Sequence, residues 1–139
     1  SIAMVTLIVF SVFIFIRNVT EISYINAKIG NESYSLELVD TDATRAQGLS
    51  ERNILSQNEG MLFDFKEDGN WRIWMNRMRF SIDIAWLDAN NQVLYIKNSA
   101  SPDDFPERYS ADQLSRYVIE INAGEFERHD VKPGDYISF

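Results

Sequence analysis

The 139 residues include no cysteine, a single histidine, three prolines and six glycines. Each scarcity excludes something. Without cysteine there is no disulfide, no thiolate metal site and no thiol nucleophile. With His129 as the one histidine, a multi-histidine zinc site is impossible, and a serine–histidine triad would have to take His129 as its base. Basic side chains are also in short supply, 13 against 21 acidic ones, for a formal net charge of −8. Such a surface repels phosphate backbones and anionic headgroups, so nucleic acid is not an expected partner. No cofactor and no metal site is expected.

Charge is missing altogether from the first sixteen residues, "SIAMVTLIVFSVFIFI", and Arg17 is the first ionisable side chain. As a helix this run would span about 24 Å, somewhat short of a hydrocarbon core of about 30 Å. "FIFIRNVTEIS" supplies no good small-x-small cleavage site, and a buried core element would be less uniformly apolar. The expectation is therefore a single-pass membrane anchor over residues 1–17, followed by one globular domain over 18–139. The alternative is a cleaved signal and a secreted domain. The chain opens on Ser1, and residues upstream would complete the span and carry the charges that set orientation. Without residues 1–17 the remainder holds 12 basic and 21 acidic side chains, a net −9.

What is present reads as strands. "ISYINAKIGNESYSLELV" suggests two strands around a "GNE" turn, with Tyr34, Leu36 and Leu38 alternating with Ser35 and Glu37. "DTDATRAQGL" suggests a short helix with Thr41 as N-cap, Asp42 in the first turn and Gly48 at its end. "MLFDF" (61–65) reads as a strand followed by a "KEDGN" loop, and strands are expected over 71–76 and 82–87, joined by "RMRFS". Asp88 to Asn91 form a turn before "VLYI". "NSASPDDFPERYSADQLS" is a long irregular stretch, of the kind that is often functional or mobile. "RYVIEI" (116–121) is a further strand, "NAGEFERHD" opens on a capping-box pattern of Asn122 and Glu125, and "KPGD" leads by a turn into a terminal strand "YISF". Seven or eight short strands and two short helices predict a mainly β fold, either a compact barrel-like domain or two packed sheets, preceded by the hydrophobic N-terminal helix.

The ordered segments "RAQGLSER", "EGMLFDF", "WM" with "IDIAWLD", and "YVIEINAGEFERHDVKPGDYISF" carry a family resemblance. Over roughly residues 28 to 139 the chain resembles the bacterial and archaeal family called domain of unknown function 192. The resemblance implies a compact, mostly β, barrel-like fold. It also implies an N-terminal signal or anchor, and so an extracytoplasmic domain. It implies no activity. The family pattern after Trp-Met continues with lysine, asparagine and threonine, and has a proline just before the "LDI". This chain has Asn76, Arg77 and Met78, and Ser81 in the proline position.

The segment "WRIWMNRMRFSIDIAW" holds all three tryptophans, Trp71, Trp74 and Trp86. Strand alternation turns Trp71, Ile73 and Met75 one way and Arg72, Trp74 and Asn76 the other, so most of these residues are core. Trp74, flanked by polar side chains, is a candidate stacking surface for a sugar ring or peptide. Asp83 lies between isoleucines and needs a partner, either Arg45, Arg52, Arg77 or Arg79 or backbone amides. Paired with Glu59, Asp64 or Glu120 it would be a weak catalytic candidate for glycoside-type hydrolysis. "DANNQ" lacks the glycine and terminal glutamate of a calcium loop, and Asp103 and Asp104 read as a solvated loop. Gly124 and Gly134 read as backbone devices.

The expected function is a membrane-anchored, extracytoplasmic module that binds a small molecule, glycan, peptide or protein. Its groove is expected to be lined by Trp74, Arg77, Arg79, Asp83, Phe105 and Tyr109. The alternatives are a hydrolase using Asp83 with a second acid, and a structural accessory to a membrane partner.

Overall fold

Gly30 turns the first hairpin. With φ at 60° it takes a conformation that glycine adopts without penalty, and it joins β1 (Tyr24–Ile29) to β2 (Glu32–Val39). In β2 the expected alternation holds, with Tyr34 and Leu36 buried between exposed Ser33 and Ser35. The structure, a computed structural model, describes residues 21–139. The anchor expected over residues 1–17, with its apolar helix, lies outside them. Among the described residues no helix is long and apolar enough to cross a membrane.

Helix α1 (Asp42–Gln47) begins at Thr41, whose hydroxyl accepts from the Thr44 amide while Thr44 returns the bond to the Thr41 amide. Gly48, at φ 48°, ends it. The chain then returns as β3 (Glu59–Gly69), parallel to β2. The main sheet also contains β5 (Ile82–Leu87), β6 (Val93–Ala100) and β8 (Ser115–Asn122), in the order β1-β2-β3-β8-β5-β6. Two-residue strands β4 (Ile73–Trp74) and β7 (Arg108–Tyr109) form a second sheet, and α2 (Glu125–Arg128) follows β8. Two sheets and two short helices make the fold mainly β, as expected.

All six residues of β5 are buried, because this strand is covered on both faces. Ile82, Ile84 and Trp86 join Met61, Phe63 and Val118 on one face, under α1 and residues 71–80. Ala85 and Leu87 join Leu36, Leu62, Ile119, Ile121 and Phe126 on the other, under α2. A strand alternates its side chains, so Glu120, two residues from Val118, belongs to the first face and Asp83, two residues from Ala85, to the second.

Several local expectations are corrected. "KEDG" is not a loop but the bulged end of β3. Lys66 sits at φ 65° with its amide bonded to Asp64 Oδ1, and pairing with β8 resumes at Gly69 opposite Ser115. Residues 71–76 do not form a long strand beside 82–87. Only Ile73 and Trp74 are extended, and they pair with β7. Trp71 instead stacks on Phe65, with ring centroids 4.3 Å apart, and its carbonyl accepts from Trp86 Nε1 at 2.8 Å.

The long stretch after β6 is also ordered. A 3-10 turn at Pro102–Asp104 is held by Asp104, whose Oδ2 accepts from the Ser101 amide and the Tyr109 hydroxyl. "YISF" makes isolated bridges rather than a full strand. The Lys28 amide donates to Ser138 and the Val93 amide to Asp135, so residues 135–138 tie the two edges of the main sheet. Finally, Asn122 is the end of β8 and not the cap of α2. Its side chain donates to the Leu55 carbonyl at 2.8 Å, and the cap position is Gly124, at φ 89°.

Candidate functional site

The first face of the main sheet is not filled completely. Between it, α1 and residues 71–78 lies a cavity of about 290 Å³. One wall is a layered stack in which Phe63 lies 6.2 Å from Phe65, Phe65 lies 4.3 Å from Trp71, and the Arg45 guanidinium sits 5.3 Å over the Phe65 ring. Arg45 is fixed there by two bonds, to the Asp64 carbonyl at 2.9 Å and to Asp42 Oδ1 at 2.7 Å. The opposite wall comes from the end of α1, where Gln47 Nε2 and the Ser50 hydroxyl bond to each other and to nearby carbonyls.

Glu120 enters this cavity from β8. It is 4% exposed, and its carboxyl has no hydrogen-bond partner among the described residues. Arg52, whose charge acts on it, is taken by Glu37 at 2.7 Å. Burial therefore dominates and pushes the carboxyl up to about 8, with Arg52 opposing weakly. At neutral pH it is an uncharged acid, both a hydrogen-bond donor and an acceptor.

Three arginines, Arg45, Arg72 and Arg77, also line the cavity. Arg72 is exposed and makes no ion pair among the described residues. Arg77 pairs with Glu51 at 3.2 Å, and the Glu51 amide donates to the Arg77 carbonyl at 2.9 Å. Both residues have positive φ, 66° for Glu51 and 55° for Arg77. Two side-chain-bearing residues in the left-handed region, clamped together beside a cavity, hold the loop after α1 against the loop after β4.

The residues singled out in the sequence scatter. Trp74 and Arg77 do line this cavity. Phe105 lies against Trp74 with ring centroids 5.3 Å apart, on the same exposed patch as Arg108, whose guanidinium is 3.9 Å from the Trp74 ring. Tyr109 is buried, and its hydroxyl is spent on Asp104. Arg79 bonds Asn53 Oδ1 at 2.6 Å and stands outside the cavity lining.

Asp83 is fully buried on the far face, so no groove joins it to Trp74. It takes none of the four arginines considered for it. Two backbone amides hold it, Ser99 at 2.8 Å and Phe126 at 3.1 Å. Nor do Asp83 and Glu120 face each other across a cleft, because the sheet itself stands between them.

The sequence reading missed Glu120 as a site residue in its own right. The signal was available, since the alternation that turns Val118 inward turns Glu120 inward too. A second polar cluster shows the contrast. The Tyr34 hydroxyl donates to Glu125, His129 Nε2 lies 3.0 Å from that hydroxyl, and Arg128 grips Glu32 through two bonds of 2.9 Å. Arg128 and Tyr34 together hold the Glu125 carboxyl below the usual range, while burial raises the Tyr34 hydroxyl. Every member there is partnered.

Four of the sequence segments that carry the family resemblance meet at the cavity: "RAQGLSER" through Arg45 to Ser50, "EGMLFDF" through Phe63 and Phe65, "WM" through Trp74, and "YVIEIN" through Glu120. The comparison with curated proteins returns no match. Among solved structures, the chain is similar to a proposed transcription regulator from Sinorhizobium meliloti. The two are 27% identical with a TM-score of 0.76, over 85% of this chain and 96% of that one. It is also similar to a protein of unknown function from Novosphingobium aromaticivorans, 28% identical with a TM-score of 0.75, over 85% of each chain. A family model described as "Uncharacterized ACR" matches residues 15–139. By that match the chain belongs to the domain of unknown function 192 family.

Proposed function

We propose that this chain is a ligand-binding module that takes a small molecule in the cavity between α1 and the main sheet. The observation that carries the reading is the unpartnered, buried carboxyl of Glu120 in a partly aromatic cavity. The Glu120 oxygens are not sealed off from the cavity, so a ligand there can make the hydrogen bonds that no described residue makes to them. A cavity of about 290 Å³ suits a single-ring molecule. The sheet, its edges tied by residues 135–138, serves as a barrel-like frame for the cavity. Attachment to a membrane through residues 1–16, with the domain extracytoplasmic, belongs to the same proposal and is supported by the uncharged run in the sequence.

A thermal-shift screen of the chain against single-ring acids, amides, amines and sugars tests this. Ligand at about 100 times its dissociation constant stabilises a fold by about 2.7 kcal/mol. Ala46 is an exposed α1 residue on the cavity lining, so Ala46→Trp blocks the space without touching the core. Shifts that vanish in Ala46→Trp support the reading, and shifts that persist in it place the ligand elsewhere.

A second reading, docking of a peptide or protein on the exposed patch of Trp74 and Phe105, is favoured by their exposures of 37% and 45%. Binding lost in Phe105→Ser but kept in Ala46→Trp would select it.

A further inference from the structure

Resting on the cavity as the ligand site, we propose that its ligand is a small aromatic carboxylate, held by a hydrogen bond that Glu120 donates from its carboxylic acid form. Three observations converge. The cavity presents an aromatic wall, Phe63, Phe65 and Trp71, against which a ring packs edge or face. In a chain of net charge −8, three of the 13 basic side chains stand at this one cavity, and Arg72 is free of any ion pair among the described residues. Of the other polar side chains at the cavity, Asp42, Gln47 and Ser50 are engaged within the protein, Asn76 is half-buried, and Glu120 is the one that is buried without a hydrogen bond among the described residues.

The protonation state follows from the surroundings. On β2 the neighbouring Glu37 is already paired with Arg52. On α1, Asp42 and Arg45 pair with each other. Beyond it Arg77 is held by Glu51, and on the same face of β6 Lys97 lies 4.9 Å from the Tyr109 ring centre. β3 and β5 offer only Met61, Phe63 and Ile84. Arg72 lines the cavity without an ion pair among the described residues, but the cation whose charge acts on Glu120 is Arg52, already paired with Glu37, so burial keeps the proton on up to about pH 8. An acid O–H donating to a carboxylate oxygen is a charge-assisted bond, shorter and about twice as strong as a neutral one. Ionised, the same residue would repel the ligand. Above pH 8 binding therefore takes up a proton: Glu120 is re-protonated from solvent and the ligand keeps its charge.

The test uses the full 139-residue chain in mild detergent and three probes, benzoate, benzamide and benzyltrimethylammonium, none of which changes charge between pH 7 and pH 9. Binding is read by chemical-shift changes at cavity residues and by calorimetry in buffers of different ionisation enthalpy. Benzoate is expected to bind best, to weaken about tenfold between pH 7 and pH 9, and to take up close to one proton at pH 9. In Glu120→Gln that pH dependence disappears whatever the affinity, and Arg72→Ala weakens benzoate more than benzamide. Preference for the cation, or benzoate binding without proton uptake at pH 9, overturns this inference and leaves the cavity reading standing. No shift at cavity residues with any probe overturns both.

Discussion

Asp83 Oδ2 accepts a hydrogen bond from the Phe126 amide, 3.1 Å from its nitrogen, so a carboxylate on β5 caps the first turn of α2 from 43 residues away. Its other oxygen takes the Ser99 amide at 2.8 Å. The helix has no side-chain cap of its own, since Gly124 stands at the cap position. One buried side chain therefore joins β5, the end of β6 and α2.

Asp83→Asn turns one acceptor into an amide donor facing an N–H. The substitution is expected to destabilise the fold by roughly 2–4 kcal/mol, the loss of a charge-assisted bond plus an unsatisfied buried donor. Urea unfolding at pH 7 measures it, and a midpoint equal to that of the parent chain would show that α2 does not depend on this cap.

Gly60 is a close-approach position of another kind. A Cβ there would lie 2.5 Å from the Glu120 carbonyl oxygen and 2.8 Å from both Leu36 and Ile121 side-chain carbons. The first of these is backbone, in a paired strand, and has nowhere to go. Gly60→Ala is expected to cost about 3 kcal/mol or more, well beyond a typical core change. It should also displace the β8 carbonyl beside the cavity, which chemical shifts of Ile119 to Ile121 would report.

How much of this was legible in the sequence differs from element to element. The alternation in β2 and the Thr41 cap follow from local pattern, and the structure has them, whereas burial of both faces of β5 is set by the elements packed on either side of it. The cap of α2 was misassigned to Asn122, because a capping box reads three residues ahead while the true acceptor comes from another strand. The "KEDG" end of β3 looked like a loop, since polarity hides a bulged strand whose partner is distant. For the site, Trp74 and Arg77 were identified, yet the cavity needs α1, β8 and the Trp71 stack together, and no local pattern sets those side by side. Glu120 shows the limit well. Alternation turns it inward, but only the third dimension leaves it without a partner.

Trp74 ranks between core and surface. It is 37% exposed, lies 5.3 Å from the Phe105 ring centre and carries the Arg108 guanidinium at 3.9 Å. A fully buried tryptophan lost to alanine costs about 3–5 kcal/mol, whereas a half-covered one with a cation–π partner should cost roughly 1–2 kcal/mol. Trp74→Ala measured by urea unfolding is expected in the lower range. A larger loss would mean that the two-residue sheet of β4 and β7 depends on this ring, and that the aromatic patch is structural.

The Glu120 carboxyl makes stability itself a probe of the cavity. Burial raises its folded pKa from about 4.5 to about 8, so the folded chain holds a proton that the unfolded chain has released. The slope of stability with pH is then negative between those values. The contribution is fully present below about pH 4.5 and is lost as pH rises through 8. Glu120→Gln cannot ionise and escapes this loss. Relative to the parent it should gain roughly 3–5 kcal/mol between pH 5 and pH 9, most of it before pH 8. The difference between the two unfolding curves over that range isolates Glu120 from the other acids, which titrate in both chains. A difference that stays constant with pH would mean that water or a neighbouring cation already satisfies the carboxylate. The cavity would then have no unmet hydrogen bond to offer a ligand.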